Sequence, residues 1–468
     1  MDFSESSVWS TFTQFGILCL ILLAANTLRT HVPILRKSLL PTAVIGGLIG
    51  FALRSLGLGS LFDTRFLNMI IYHFMAIGFI ALSLKTSYGK GEIKRQASKD
   101  AFNSGLLIVG SYLLQALIGF SITILLALTI MPDLFKASGL LLPLGFGQGP
   151  GQANNWGYIY ENTRYNTTES FIGGQTFGIT IASIGFLCAC IPGVVYMTWL
   201  NSKNKFITAK GFKNESVSDE LGSEDEIPLA ESIDKFTIQI CFVMLTFLVS
   251  YGFMKFVDVL FIESGRLGEF GIKTVRPLIW GFNFIFGTLF AILVKQVVKV
   301  LRKTHLMNKV YLSNFMLNRI TGFAFDFMII ASITLIDIKV LSNLWIPLLI
   351  ICTAGLAGTF WYVKAACNTI YKSYPLEGFL SMYGMLTGTA STGVALLREA
   401  DPDFDTPASQ NLVSGSSTAI VFGFPMLLLL GIAPEQPYLV LILLVFFALV
   451  INVLLFRSRI IGKRKKNL

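Results

Sequence analysis

Gly145-Phe146-Gly147-Gln148-Gly149-Pro150-Gly151-Gln152-Ala153-Asn154-Asn155 is a polar break in a hydrophobic region. It sits between two apolar half-length segments, 137–144 and 156–160. Neither reaches the ~20 residues that a bilayer-crossing helix needs. Four glycines and a proline stop the helix, and two Gln and two Asn add polar side chains. Lipid-exposed irregular backbone would leave N–H and C=O groups unpaired at several kcal/mol each, so broken backbone at membrane depth is covered by protein or lines a water-filled cavity. A counterpart lies in the second half, Gly384-Met385-Leu386-Thr387-Gly388-Thr389-Ala390-Ser391-Thr392-Gly393, with Gly384 and Gly388 matching Gly145 and Gly149 at one constant offset. Paired breaks of this kind are the layout of a transporter substrate site.

The 468 residues are 53% hydrophobic and 14% charged. Soluble proteins carry about 25% charge. With a mean hydropathy of +0.67, the composition predicts an all-α polytopic membrane protein. The net charge of +10 comes from short, dispersed basic clusters. They mark topology rather than a basic face for nucleic acid. Cys19, Cys188, Cys190, Cys241, Cys352 and Cys367 all lie in apolar runs and read as small buried hydrophobes. The first ten residues lack the basic region of a cleaved signal peptide.

Outward from the first break, apolar runs cover 8–28, 41–53, 67–84, 102–128 and 171–200. Residues 1–200 form an N-terminal repeat with its hairpin near 137–160. Residues 201–232 are polar, basic first and acidic from Asp219 to Glu226, and read as a flexible cytoplasmic linker. Further runs cover 236–261, 277–295, 320–338, 344–371 and 411–432, with a second broken segment at 376–397. Residues 233–432 form the C-terminal repeat. Residues 433–468 add one more transmembrane helix, 438–456, and a basic cytoplasmic tail. Pro41 and Pro277 suit first helical turns, and Gly46-x-x-x-Gly50 permits close helix contact.

Positive residues favour the cytoplasmic side. If both broken segments are re-entrant, loops 29–38, 85–100 and 295–310, the linker and the tail all fall inside. The N-terminus is then outside and the C-terminus inside a cell (inner or plasma) membrane. Loop 262–276, with Arg266, Lys273 and Arg276, fits less well. This topology inverts the second half relative to the first. Phe74-Met75-Ala76-Ile77 matches Phe327-Met328-Ile329-Ile330, and Leu106-Leu107-Ile108-Val109 matches Leu348-Leu349-Ile350-Ile351, in the same order. Inverted repeats with discontinuous helices are a secondary-transporter architecture.

Several islands of sequence resemble the glutamate:sodium symporter family. They are Val32-Pro33-Ile34-Leu35-Arg36-Lys37 leading to Leu40-Pro41, Val44 and Gly46-Gly47-Leu48, then Ala76-Ile77-Gly78-Phe79. The glycine-rich first hairpin ending at Ala153 and Trp156, and Thr176-Phe177-Gly178 after it, continue the likeness. It runs in order over roughly residues 10–432. The resemblance implies sodium-coupled symport of an anionic, glutamate-like amino acid by an elevator mechanism, in a homodimer. Two departures stand out: Gln148 where the family has His, and the extra C-terminal helix. The first puts glutamate itself in question.

A carboxylate carrier needs helix N-termini for the anion and oxygen ligands for sodium. Gln148, Gly149, Gly151, Gln152, Asn154, Asn155, Thr387, Gly388 and Thr389 are the expected solute contacts. Asn155, Ser391, Thr392, Ser416 and Ser417 are the expected sodium ligands. Sodium would be the coupling ion, with no organic cofactor. Ser414, Ser416, Ser417 and Thr418 also suit helix packing, and Gln115 an interhelical hydrogen bond. Asp326 could bind a cation or pair with Arg319, and His73 suits a packed core. Arg398 could meet a solute carboxylate or stand in a charged loop, and Asn166-Thr167-Thr168 matches a glycosylation sequon. An ion channel or ion-only exchanger is the rival reading, but the tips carry more polar groups than one ion needs. No nucleophile–base pair or paired acids at depth point to an enzyme, and no nucleotide-binding Gly-Lys-Ser/Thr loop is present.

Overall fold

The computed structural model describes residues 5–85, 92–165, 169–202, 229–306, 312–401 and 406–457. Linker residues 203–228, the sequon at 166–168 and the tail beyond Arg457 lie outside them. Every regular element among the described residues is helical. The longer helices are α1 (Ser6–His31), α2 (Thr42–Leu53), α3 (Thr64–Leu84), α4 (Glu92–Thr129), α5 (Pro150–Asn162), α6 (Gly174–Ser202) and α7 (Leu229–Val257). They continue as α8 (Asn283–Lys303), α9 (Asn314–Thr334), α10 (Trp345–Ile370), α11 (Pro375–Thr387), α12 (Ala390–Ala400), α13 (Ala408–Ile432) and α14 (Pro437–Leu455). Nine of these, α1, α3, α4, α6 to α10 and α14, are long and apolar enough to cross a bilayer. The chain is a multi-pass membrane protein.

Local chemistry sets several helix starts. The Asp63 carboxylate caps α3 by accepting from the Arg65 N–H at 3.0 Å. The Asp63 N–H in turn donates to Gln14 Oε1 at 2.8 Å, tying α3 to α1. Pro150 and Pro375 occupy the first turns of α5 and α11, where a missing N–H costs nothing. Pro41 lies one position earlier than the sequence implies, at the N-cap of α2.

Small residues let helices approach closely; this holds at Gly50, but its tight neighbour is Gly47 rather than Gly46, where a methyl would lie an ordinary 3.4 Å from Ile330. A methyl group added at Gly47 would lie 2.6 Å from Ile333 Cβ, and one at Gly50 would lie 2.1 Å from the Thr334 hydroxyl. On the other side of the bundle, a methyl at Gly287 of α8 would lie 2.7 Å from Ile80 of α3. Between these pairs α3 packs against α9, with the Phe74 and Phe327 rings 6.2 Å apart. Phe15 of α1 stacks on Phe327 at 4.7 Å. Lys295 of α8 donates to the carbonyl oxygens of Ser83 and Lys85, both at 3.0 Å, and so satisfies the C-terminal end of α3.

The run 277–295 is not one helix opened by Pro277. A π-type turn, Gly271–Val275, leads to a short helix, Arg276–Gly281, and Phe282 breaks the chain before α8 begins. Trp156 packs on the Phe282 ring at 5.1 Å, and a side chain at Gly281 would strike Ile159. The break therefore fits the chain around α5. The cations of loop 262–276 that suit the charge pattern poorly are partly neutralised: Lys273 pairs with Glu269 at 3.0 Å, and Arg276 with Asp258 at 2.9 Å.

Candidate functional site

The first polar stretch folds as a short 3-10 turn (Lys136–Leu140), a π-type turn (Pro143–Gln148) and then α5. Gly149 makes the break, with φ 90° and ψ −179°. The two ends of this segment lie together. The Phe135 ring is 5.2 Å from Tyr160 and stacks on Phe171, also at 5.2 Å. The Phe171 N–H donates to the Tyr160 carbonyl at 2.8 Å.

The second stretch is α11, a break at Gly388 and Thr389, and α12. Its arms are in contact: a methyl at Gly384 would lie 2.8 Å from Gly393 Cα, and one at Gly393 would lie 2.4 Å from the Ser381 carbonyl oxygen.

The two breaks face one another. A methyl at Gly149 would sit 3.8 Å from both the Gly388 carbonyl oxygen and Thr389 Cγ2. Gly185 of α6 lies beneath both, since a methyl there would be 2.5 Å from the Thr387 carbonyl oxygen and 3.0 Å from the Phe146 ring. Gln115 of α4 braces the second break by donating to the Leu386 carbonyl at 2.9 Å and to Thr359 Oγ1 at 3.0 Å. Tyr112 braces the first by donating to the Gly147 carbonyl at 3.1 Å.

Neither α5 nor α12 has a side-chain cap at its start. Each start therefore keeps its positive dipole end uncapped by a side chain, although Pro150 brings no N–H to α5 and Gly151 and Gln152 behind it are buried. Thr389 Oγ1 lies 2.9 Å from Ser391 Oγ and 3.2 Å from Thr392 Oγ1, so three hydroxyls gather at the start of α12. Thr387 is buried and donates to the Tyr383 carbonyl at 2.7 Å. Gly388 is buried and Gln148 is half-buried.

The α5 residues divide from this cluster. Gly151 is wedged between the sulfurs of Met75 and Met328, 2.8 and 2.6 Å from where its methyl would stand. Gln152 donates to Met75 Sδ at 3.4 Å, and its Oε1 has no partner among the described residues. Asn154 donates to Asn68 Oδ1 at 3.3 Å and accepts from Gln175 Nε2 at 3.0 Å. Asn155 is buried with Nδ2 unpartnered among the described residues. Gln152 and Asn154 thus turn to α3 and α6, not to the second tip.

Ser416 is not part of the hydroxyl cluster. Its hydroxyl donates to its own helix at the Leu412 carbonyl, 2.7 Å away, and lies 3.5 Å from Met385 Sδ of α11. Ser414 and Thr418 also bond their own helix. Thr418 packs against Gly105, which matches the packing alternative for this group. The Ser417 side chain lies outside the described ones. Asp326 forms no ion pair with Arg319, whose guanidinium lies over the Phe315 ring at 5.1 Å. The His73 ring packs edge-on to Tyr72 and Phe247, and Arg398 is exposed. All six cysteines are free.

Sequence reasoning missed Asn68 and Gln175, whose amides hydrogen-bond each other. Both are isolated amides in apolar surroundings, a signal that could have been used. Among the described residues no three His, Cys, Asp or Glu side chains gather as a metal site. No protein-family model matches this chain, and no curated protein matches it.

Proposed function

We propose that this protein is a secondary active transporter that moves a small carboxylate-bearing solute, such as an anionic amino acid, together with sodium. The observation that carries the proposal is the meeting of the two helix breaks at Gly149 and Gly388–Thr389. Two uncapped helix starts converge there, which suits a carboxylate. The Thr389, Ser391 and Thr392 hydroxyls suit a hard cation.

In this reading each broken segment is a re-entrant hairpin, and the two halves are inverted repeats. The contact of Gly47 with Ile333 then recurs as that of Gly287 with Ile80. The same alignment pairs Phe74 with Phe327, and their rings meet near the pseudo-two-fold axis. The hairpins belong to a body that shifts against a dimeric scaffold, exposing the site alternately to each side. The N-terminus faces out and the C-terminus faces the cytoplasm.

Purified protein in proteoliposomes tests the proposal. Uptake of glutamate, aspartate and a panel of dicarboxylates would be measured with and without an inward sodium gradient, beside Gln148→Ala and Thr389→Ala. Sodium-dependent uptake that both variants lose supports the site. Uptake driven by a pH gradient alone removes sodium. Sodium flux without uptake of any solute sinks the symporter reading.

A further inference from the structure

We propose that the paired faces of α6 and α10 hold a phospholipid of net negative charge, with its phosphate on Lys364. This inference stands apart from the transport reading. α6 and α10 lie side by side, with the Tyr196 and Phe360 rings 5.2 Å apart. Lys364 is the one charged residue in either helix. Its Nζ lies 5.0 Å from the centre of the Tyr196 ring, 5.3 Å from that of Trp361 and 5.8 Å from that of Phe360. It forms no ion pair among the described residues.

Position and charge select the ligand. Lys364 stands six residues before Ile370, the last residue of α10. That is about 9 Å along the axis, a depth from which a lysine stem reaches the headgroup layer. The three rings attract the ammonium through their faces but supply no counter-charge. α6 carries no acid, and Glu377 of the neighbouring α11 is only 6% exposed. A lipid phosphate supplies the missing anion. A choline or ethanolamine headgroup would bring a second cation to rings that Lys364 already occupies, so the headgroup that fits is negative only.

The same face accommodates an acyl chain. Leu187, Ile191, Val195 and Trp199 follow one another at four-residue intervals along α6, and all are exposed. That spacing keeps them in one stripe. The stripe ends at Trp199, which stacks on Tyr196, the ring closest to Lys364. Trp361, 66% exposed, flanks the lysine on α10. Tryptophans mark the border between hydrocarbon and headgroups, so the apolar stripe and the cation meet where a lipid changes from chain to phosphate. In the proposed topology this is the cytoplasmic leaflet.

The test uses the full-length protein in phosphatidylcholine vesicles that contain chain-brominated phosphatidylglycerol or chain-brominated phosphatidylcholine at matched mole fractions. Bromine quenches a neighbouring indole, and Trp361→Phe isolates the Trp361 share of the emission. Half-maximal quenching of Trp361 is expected at about fivefold lower mole fraction of the brominated phosphatidylglycerol, the factor that one basic residue supplies at a membrane surface. Lys364→Met, which keeps the apolar stem among the rings, should remove that preference, and Lys364→Arg should keep it. Asn368 is exposed one turn further along α10. Asn368→Asp leaves Lys364 in place but sets a carboxylate beside it, so it too should remove the preference, and it serves if Lys364→Met does not fold. Trp345, at the other end of α10, controls for the positive charge of the whole protein, and its quenching should not change in Lys364→Met. Equal quenching of Trp361 by the two lipids in the wild type, or a preference that survives Lys364→Met and Asn368→Asp, overturns the proposal.

Discussion

Gly149 and Gly388 stand opposite each other, close enough that a methyl on Gly149 would touch the Gly388 carbonyl oxygen at 3.8 Å. That is an ordinary contact, so space alone would tolerate alanine at 149. The backbone would not. With φ 90° and ψ −179°, Gly149 occupies a region that is essentially closed to other residues, at a cost of ~1–3 kcal/mol. Gly149→Ala is therefore expected to lower unfolding stability in detergent by about that amount, and to reduce uptake. Unchanged stability would show that the break does not need this conformation.

Gln115 holds α4, α10 and the second break together through one amide. Replacing it with leucine leaves the Leu386 carbonyl and the Thr359 hydroxyl short of a partner. A loss of ~1–3 kcal/mol is expected from the unpaired groups. Denaturant unfolding measures it, and Gln115→Asn, one methylene shorter, should recover little.

The hairpin reading makes a prediction about sidedness. Phe135 lies against Tyr160 and Phe171, so Asp133 and Arg164 belong on the same side of the membrane. Single cysteines at these two positions, in a background without the native six, should both react with an impermeant thiol reagent added outside. Labelling of the two from opposite sides would mean that the first broken segment crosses, and would dismiss the inverted topology.

Lys295 satisfies two carbonyl oxygens at the end of α3. Lys295→Met keeps the apolar stem and removes the donors. Hydrogen bonds to charged groups are worth ~1.5–3 kcal/mol. The variant should lose stability on that scale, with faster hydrogen exchange at the last turn of α3.

The sequence announces some features and conceals others for physical reasons. The break at Gly149 was legible because glycines and a proline cannot continue a helix, and Pro150 opens the next one. The close approach at Gly50 was legible from spacing, though its partner position proved to be Gly47 and not Gly46. The break at Phe282 was not, because Pro277 and the apolar run around it read as an ordinary helix start. Its surroundings are tertiary: the Trp156 ring from another part of the chain packs on Phe282 there, which the local sequence does not announce. The division of the polar residues between the tips and the flank of α5 was equally hidden. Gln152, Asn154 and Thr389 differ in where their helices point them, and composition carries no direction. Ser416 followed the usual rule for a mid-helix serine and turned to its own backbone.

The place of Gly151 between two methionine sulfurs has a mechanical consequence. Thioethers are soft and impose little directional preference on what touches them. Where α5 meets α3 and α9 at Gly151, the contact is thus without directional bonds, whereas Gln115 and Tyr112 fasten the breaks to α4 by hydrogen bonds. The Asn68 amide, bonded to both Asn154 and Gln175, adds a directional link between α3 and both α5 and α6. On the proposed transport reading, any sliding of α5 and α6 along α3 would first have to break these hydrogen bonds, so the residue at position 68 would set how long the protein dwells before each stroke.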